Sequence, residues 1–143
     1  MLDGLSAGLV RRLTEAGPAA QRRAARAAAS LALRHAPVPD DRVLDGFLAF
    51  DAGRFGGGER GPLDALIAEL DEATWRHQDD TGEAGDELFG RARAVAALHA
   101  ALHEDAAQAA YDAAYEAHAC LEDGEAIEAA IEAALQGTAA GAR

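Results

Sequence analysis

Residues 86–104 read D-E-L-F-G-R-A-R-A-V-A-A-L-H-A-A-L-H-E. Leu88, Val95, Leu98 and Leu102 recur at helical spacing, so the stretch buries its apolar side as a helix packed against other helices. It predicts the central helix of a bundle. Two polar residues, Arg91 and His99, fall inside that stripe and need partners.

The rest of the chain supports the same class. Alanine supplies 39 of the 143 residues, and alanine is the best helix former because it loses no side-chain entropy on folding. Isoleucine occurs only three times, and valine and threonine are few, which leaves little to build strands from. The prediction is an all-α, single-domain bundle of six to seven helices over residues 1–137, with 138–143 a frayed tail.

Charge narrows the choice of partner. All 13 basic side chains are arginine, with no lysine and no asparagine. With the alanine content, this is the codon signature of a GC-rich, bacterial genome. The net charge of −12 argues against nucleic acid, which is bound by basic patches that release counterions from phosphate. The imbalance is uneven: residues 1–34 hold six arginines against Asp3 and Glu15, and residues 35–143 hold seven against 23 acids. Either basic early helices dock on an acidic body, or an acidic face captures a basic partner. Cys120 is alone, which excludes an intramolecular disulfide and suits a reducing compartment. No signal pattern and no apolar run of about 20 residues is present. The expected location is the cytoplasm, with no membrane contact.

Along the chain, 4–16 and 18–36 read as the first two helices, divided by Gly17-Pro18. On the second, Ala24, Ala27, Ala28 and Leu31 are expected to face inward and Arg22, Arg26 and Leu33 away. Pro37-Val38-Pro39 stops it. Asp40 or Asp41 caps a third helix whose Val43, Leu44, Phe47, Leu48 and Phe50 are expected in the core. Residues 53–61, G-R-F-G-G-G-E-R-G, read as a flexible connector. They lack the Gly-Lys-Ser/Thr and the preceding strand of a phosphate-binding loop. Pro62 then starts a fourth helix bearing Leu63, Leu66, Ile67 and Leu70. Residues 78–85 form an acidic turn without the ligand spacing of a calcium loop. Helices over 86–104, 105–122 and 125–136 complete the chain.

Helical projection directs His77, His99 and His118, from three successive helices, toward the presumed core, with Tyr111 beside His118. Bundles do build sites from such facing side chains. His99 and His103, one turn apart, are the candidate metal pair. No Glu-x-x-His or His-Glu-x-x-His pattern accompanies them, so no metal or cofactor is assigned. The competing reading is that these histidines are satisfied boundary residues. Arg91 calls for a buried carboxylate, with Glu69, Asp71, Glu72 and Glu116 the candidates. His118 and Cys120 stand two residues apart and do not face each other on a helix, so they form no catalytic pair. Trp75 projects away from the Leu63–Leu70 stripe toward Asp64 and Asp71, as an interface anchor does. Asp112 and Glu116, with Glu104, Glu122 and Asp123, form an acidic docking stripe.

R-R-A-A-R-A-A-A-S-L-A-L, then D-D-R-V-L-D-G-F-L-A-F-D-A-G-R, and later A-A-Y-D-A-A-Y-E-A-H-A resemble the alanine- and histidine-rich helical immunity proteins predicted in bacterial polymorphic-toxin systems. They also resemble uncharacterised helical proteins of GC-rich bacteria. The likeness spans 20–55 and 90–120 and rests on composition and helix phrasing, so no site residues transfer. The resemblance implies a non-enzymatic protein that binds and blocks a toxin. Two other functions stand beside it: a helical domain with a histidine-lined metal or ligand pocket, and an accessory subunit whose faces are covered in a homo-oligomer.

Overall fold

The computed structural model describes residues 5–83, 85–121 and 123–137. Among them the chain forms seven helices and no strand: α1 Ala7–Glu15, α2 Pro18–His35, α3 Asp41–Asp51, α4 Gly57–Thr81, α5 Asp86–Ala101, α6 Ala106–Leu121 and α7 Gly124–Leu135. The protein is an all-α bundle around one hydrophobic core. The tail at 138–143 lies outside the described residues.

α5 is the hub. It packs against α2, α3, α4 and α6. Ala92, Ala94, Val95, Ala96, Ala97, Leu98, Ala100 and Ala101 are all buried, so burial goes nearly round the helix. α2 and α6 pack on each other and are lined with alanine. Ala24, Ala25, Ala28, Ala29 and Ala32 on one and Ala109, Ala110, Ala113, Ala114 and Ala117 on the other are fully out of water. Small side chains let helix backbones approach closely, and Leu5, Leu9, Leu63, Leu98, Leu102, Ile127 and Ile131 fill the remaining space.

Helix ends follow local chemistry. The Ser6 hydroxyl accepts the Leu9 N–H, the Asp40 carboxylate the Arg42 N–H and the Asp123 carboxylate the Ala126 N–H. Gly82, at φ 75°, ends α4 in the left-handed conformation. Arg22 does not project away. Its Nη1 donates to the carbonyls of Ala101 and His103, at 3.1 and 2.6 Å, and its Nη2 to that of Glu104 at 2.7 Å. It thereby satisfies the C-terminus of α5 while stacking 3.7 Å over Phe55.

Two further expectations fail here. α4 begins at Gly57 rather than Pro62, and it runs to Thr81, through half of the expected acidic turn. The Gly56 N–H donates to the Leu102 carbonyl at 2.9 Å, and the Gly56 carbonyl takes the N–H groups of Glu59 and Arg60. That anchor starts the helix five residues early. Pro62 removes only one bond of the second turn, beside exposed Gly58. The second failure is α3. Val43, Gly46 and Ala49 are its buried residues, Phe47 and Phe50 are half-buried, and Leu44 and Leu48 point to solvent. Gly46 explains the rotation. A Cβ there would stand 2.9 Å from Leu98 Cδ2, so the glycine edge of α3 is the edge that meets α5.

Candidate functional site

α4 and α5 run antiparallel, and two polar pairs fix their side-chain register. His99 Nε2 meets Asp64 Oδ1 at 2.8 Å, and Arg93 Nη2 meets Asp71 Oδ2 at 3.7 Å. One turn beyond Asp71 on α4 is Trp75. One turn before Arg93 on α5 is Phe89. Each of these aromatic side chains thus lies one turn from a member of the Arg93–Asp71 pair, on the flank that carries it. Trp75 is 68 % exposed and Phe89 47 %.

Arg93 organises this flank. Its Nη1 donates to Glu116 Oε1 at 3.0 Å, and its guanidinium lies 5.6 Å from the Phe89 ring centroid. The side chains of Arg93 and Glu116 keep only 21 % and 23 % of their exposure. Three helices thus meet at one half-buried cation, whose Nε has no hydrogen-bond partner among the described residues. Asp71, Glu72, Asp112 and Glu116 bring carboxylates to the surroundings, with Glu72 held by Arg76 and Asp112 by the Gln108 amide.

Arg91 is not the buried arginine expected from the sequence. It reaches back to Glu87 on its own helix. Arg93 makes the interhelical ion pairs, with Asp71 and Glu116, two of the acids proposed for Arg91. Two residues turn a helix by about 200°, so the substitution of one arginine for the other means that α5 faces its neighbours differently. The leucine stripe alone misplaced the contact, because alanines cover most of the remaining helix.

The histidines do not converge. His77 is exposed and lies beside Gly85, just ahead of α5, while His99 is near the opposite end of that helix. Fourteen residues of rise separate the two levels by about 21 Å. His118 is half-buried on α6, two residues past the Glu116 that meets Arg93, whereas His99 lies six residues past Arg93 in the opposite direction. Tyr111 packs against the core. Among the described residues no group of three or more His, Cys, Asp or Glu is placed to hold a metal ion. His103 Nδ1 accepts the Asp105 N–H at 2.9 Å, which uses one ring nitrogen of the candidate metal pair.

His99 has its own partners. Arg60 donates through Nε to the His99 carbonyl at 3.1 Å, and its Nη2 lies 3.2 Å from His99 Nδ1. Arginine only donates, so Nδ1 is the acceptor and Nε2–H faces Asp64. Burial, followed by the charge of Arg60, holds the His99 pKa below its ordinary value. Both ring nitrogens are engaged, so the imidazole offers no lone pair to a metal or a substrate.

The acidic stripe divides. Asp112 and Glu116 stay together on α6, one turn apart and both half-buried. Glu104 packs on Gly56 at the other end of the α4–α5 pair, 3.2 Å from where a Cβ would stand. Asp123 caps α7. Glu122 lies outside the described residues. A cavity of about 280 Å³ opens between the end of α2 and the start of α5, lined by His35, Asp86, Glu87, Arg91 and Cys120. Burial pushes the Cys120 thiol pKa up, and Sγ donates to the Ala32 carbonyl at 3.8 Å. A thiol so held is a poor nucleophile.

Phe89 and Arg93 are the site residues that sequence reasoning missed. Their signal was the i,i+4 spacing between them, the same spacing that separates Asp71 and Trp75 on α4. No helix among the described residues is long and apolar enough to cross a membrane. No family model, curated protein or solved structure matches the chain, so the functional reading rests on its own residues.

Proposed function

We propose that this protein is a small acidic, non-enzymatic protein-binding module of the cytoplasm, immunity-like in acting by surface occlusion, and that its contact surface is the α4–α5–α6 flank. One observation carries the reading: Trp75 is 68 % exposed and stands one turn from Asp71, the α4 carboxylate that meets Arg93. Tryptophan is enriched at the centres of interfaces because it buries a large area with few rotors to fix. The net charge of −12 favours a basic partner and speeds its approach.

The test is affinity capture from the native host with wild type, Trp75→Ala and Phe89→Ser. A partner that is retained by wild type, released by salt and lost from both variants supports the surface. Co-expression with a neighbouring toxin gene tests occlusion: wild type restores growth and Trp75→Ala does not. Partners that stay bound to both variants place the contact elsewhere.

A further inference from the structure

α3 presents a second surface, independent of Trp75. Leu44 and Leu48 are 60 % and 55 % exposed. They stand one helical turn apart on the side away from Val43, Gly46 and Ala49, which face the core. Asp41 and Asp45 run beside them at the same i,i+4 spacing. Both are exposed, and neither has an ion-pair partner among the described residues. The bases nearest in sequence are engaged elsewhere: Arg42 with Asp40 and Glu69, and Arg26 with Asp51. The result is a strip of two leucines with two uncompensated carboxylates along one edge.

We propose that this strip docks a cationic amphipathic helix of a partner protein, whose apolar residues cover Leu44 and Leu48 and whose arginines or lysines meet Asp41 and Asp45. A second copy of the chain is a poor occupant. Symmetric pairing would bring the unpaired aspartates of both copies together, within molecules of net charge −12, over an apolar strip far smaller than the roughly 800 Å² per partner of a stable interface. The surface is also distinct from the one around Trp75. Arg42 of α3 holds Glu69, and Arg93 of α5 holds Asp71. Those acids are two residues apart on α4, so they mark sides about 200° apart. Two partners could be held at once, which makes the module a bridge as well as a plug.

The probe is a synthetic helix with leucine and arginine segregated to opposite faces. Controls are a scrambled sequence and a version with glutamate for arginine. Amide shifts are followed on titration into the full chain. The expected result is movement confined to α3, with the Trp75 indole unmoved. Leu44→Ser with Leu48→Ser should weaken binding roughly tenfold or more. Asp41→Asn with Asp45→Asn should weaken it severalfold and flatten its salt dependence, and Trp75→Ala should leave it unchanged. The proposal is overturned by shifts centred on Trp75, by equal binding of the scrambled or acidic peptide, or by unaltered affinity of the leucine double variant. Concentration-dependent α3 shifts without peptide would assign the strip to a second copy. Loss of the helical circular dichroism signal in the leucine variant would show these residues to be core. Loss of Trp75-dependent capture would leave the α3 result standing, so the two surfaces fail separately.

Discussion

Arg93 of α5 and Glu116 of α6 close their ion pair at 3.0 Å with about four-fifths of each side chain out of water. Asp71 of α4 supplies a second carboxylate at 3.7 Å. The pair joins three helices at a point where alanine leaves room for large polar groups.

Removing one member leaves the other half-buried without its counter-charge, which is the costly outcome for such pairs. Arg93→Ala should therefore destabilise by roughly 1–3 kcal/mol, below the range for a fully buried pair because water still reaches the site. Arg91→Ala should change stability by less than about 0.5 kcal/mol, as expected of an exposed i,i+4 pair. Replacing both Arg93 and Glu116 with methionine should recover much of the single-variant loss. Urea titrations of the four proteins check this, and equal losses from Arg91→Ala and Arg93→Ala would contradict the geometry.

The helical class and most helix boundaries were legible because alanine, proline and capping aspartates act locally. Asp40, Gly17-Pro18 and the Pro37-Val38-Pro39 stop all mark ends that the structure keeps. Which way each helix turns was less legible. A leucine stripe signals its own burial, but alanine sits equally well in a tight helix contact or in water, so the alanine face of α5 carried no signal. Arg91 and Arg93 were thus exchanged, and Leu44 and Leu48 were placed inside although Gly46 turns the opposite edge inward. Trp75 was read correctly as projecting from the Leu63–Leu70 stripe. Phe89 joins the flank through Arg93, whose pairs with α4 and α6 no single-helix projection contains.

His99 should make stability fall on mild acidification. The folded state holds it neutral, with Nδ1 accepting from Arg60 and its pKa below the ordinary value near 6.5. Between the folded and unfolded pKa values the unfolded chain binds more protons, so the contribution is fully present above about pH 6.5 and is lost as pH drops through that window. His99→Leu should reduce the slope of unfolding free energy between about pH 7.5 and 5. An unchanged slope would assign the proton uptake to other groups.

Asp40 should act at lower pH. The Arg42 side chain, and then its backbone N–H, hold the Asp40 carboxyl down to about 2. The folded value lies below the unfolded one, so this support is present above the ordinary aspartate value and disappears as pH falls toward 2. At neutral pH Asp40→Ala should cost about 1 kcal/mol through loss of the α3 cap. As the pH falls through 2 the difference between variant and wild type should shrink away, which acid denaturation followed by circular dichroism would register.

The early start of α4 separates two glycines. Gly56 has φ 114° and Glu104 packed against it, so Gly56→Ala meets both backbone strain and crowding and should destabilise by about 1–3 kcal/mol. Gly58 lies inside the helix with open space around it. Gly58→Ala should stabilise by about 0.5–1 kcal/mol. In a flexible connector neither change would matter much, so thermal melts of the two variants moving in opposite directions would verify the helix start.

Trp75 is the single tryptophan, which makes its environment directly measurable. A side chain 68 % exposed should emit at the red end of the tryptophan range, be quenched readily by acrylamide, and change little in emission wavelength when the chain unfolds. Trp75→Ala should then alter stability by no more than about 0.5 kcal/mol, as for surface positions generally, while abolishing capture of the partner. These two results have to occur together. A blue-shifted, quencher-protected indole in the free protein, or a stability loss of about 3 kcal/mol or more as for an aromatic side chain removed from a core, would mean that Trp75 is packed rather than presented.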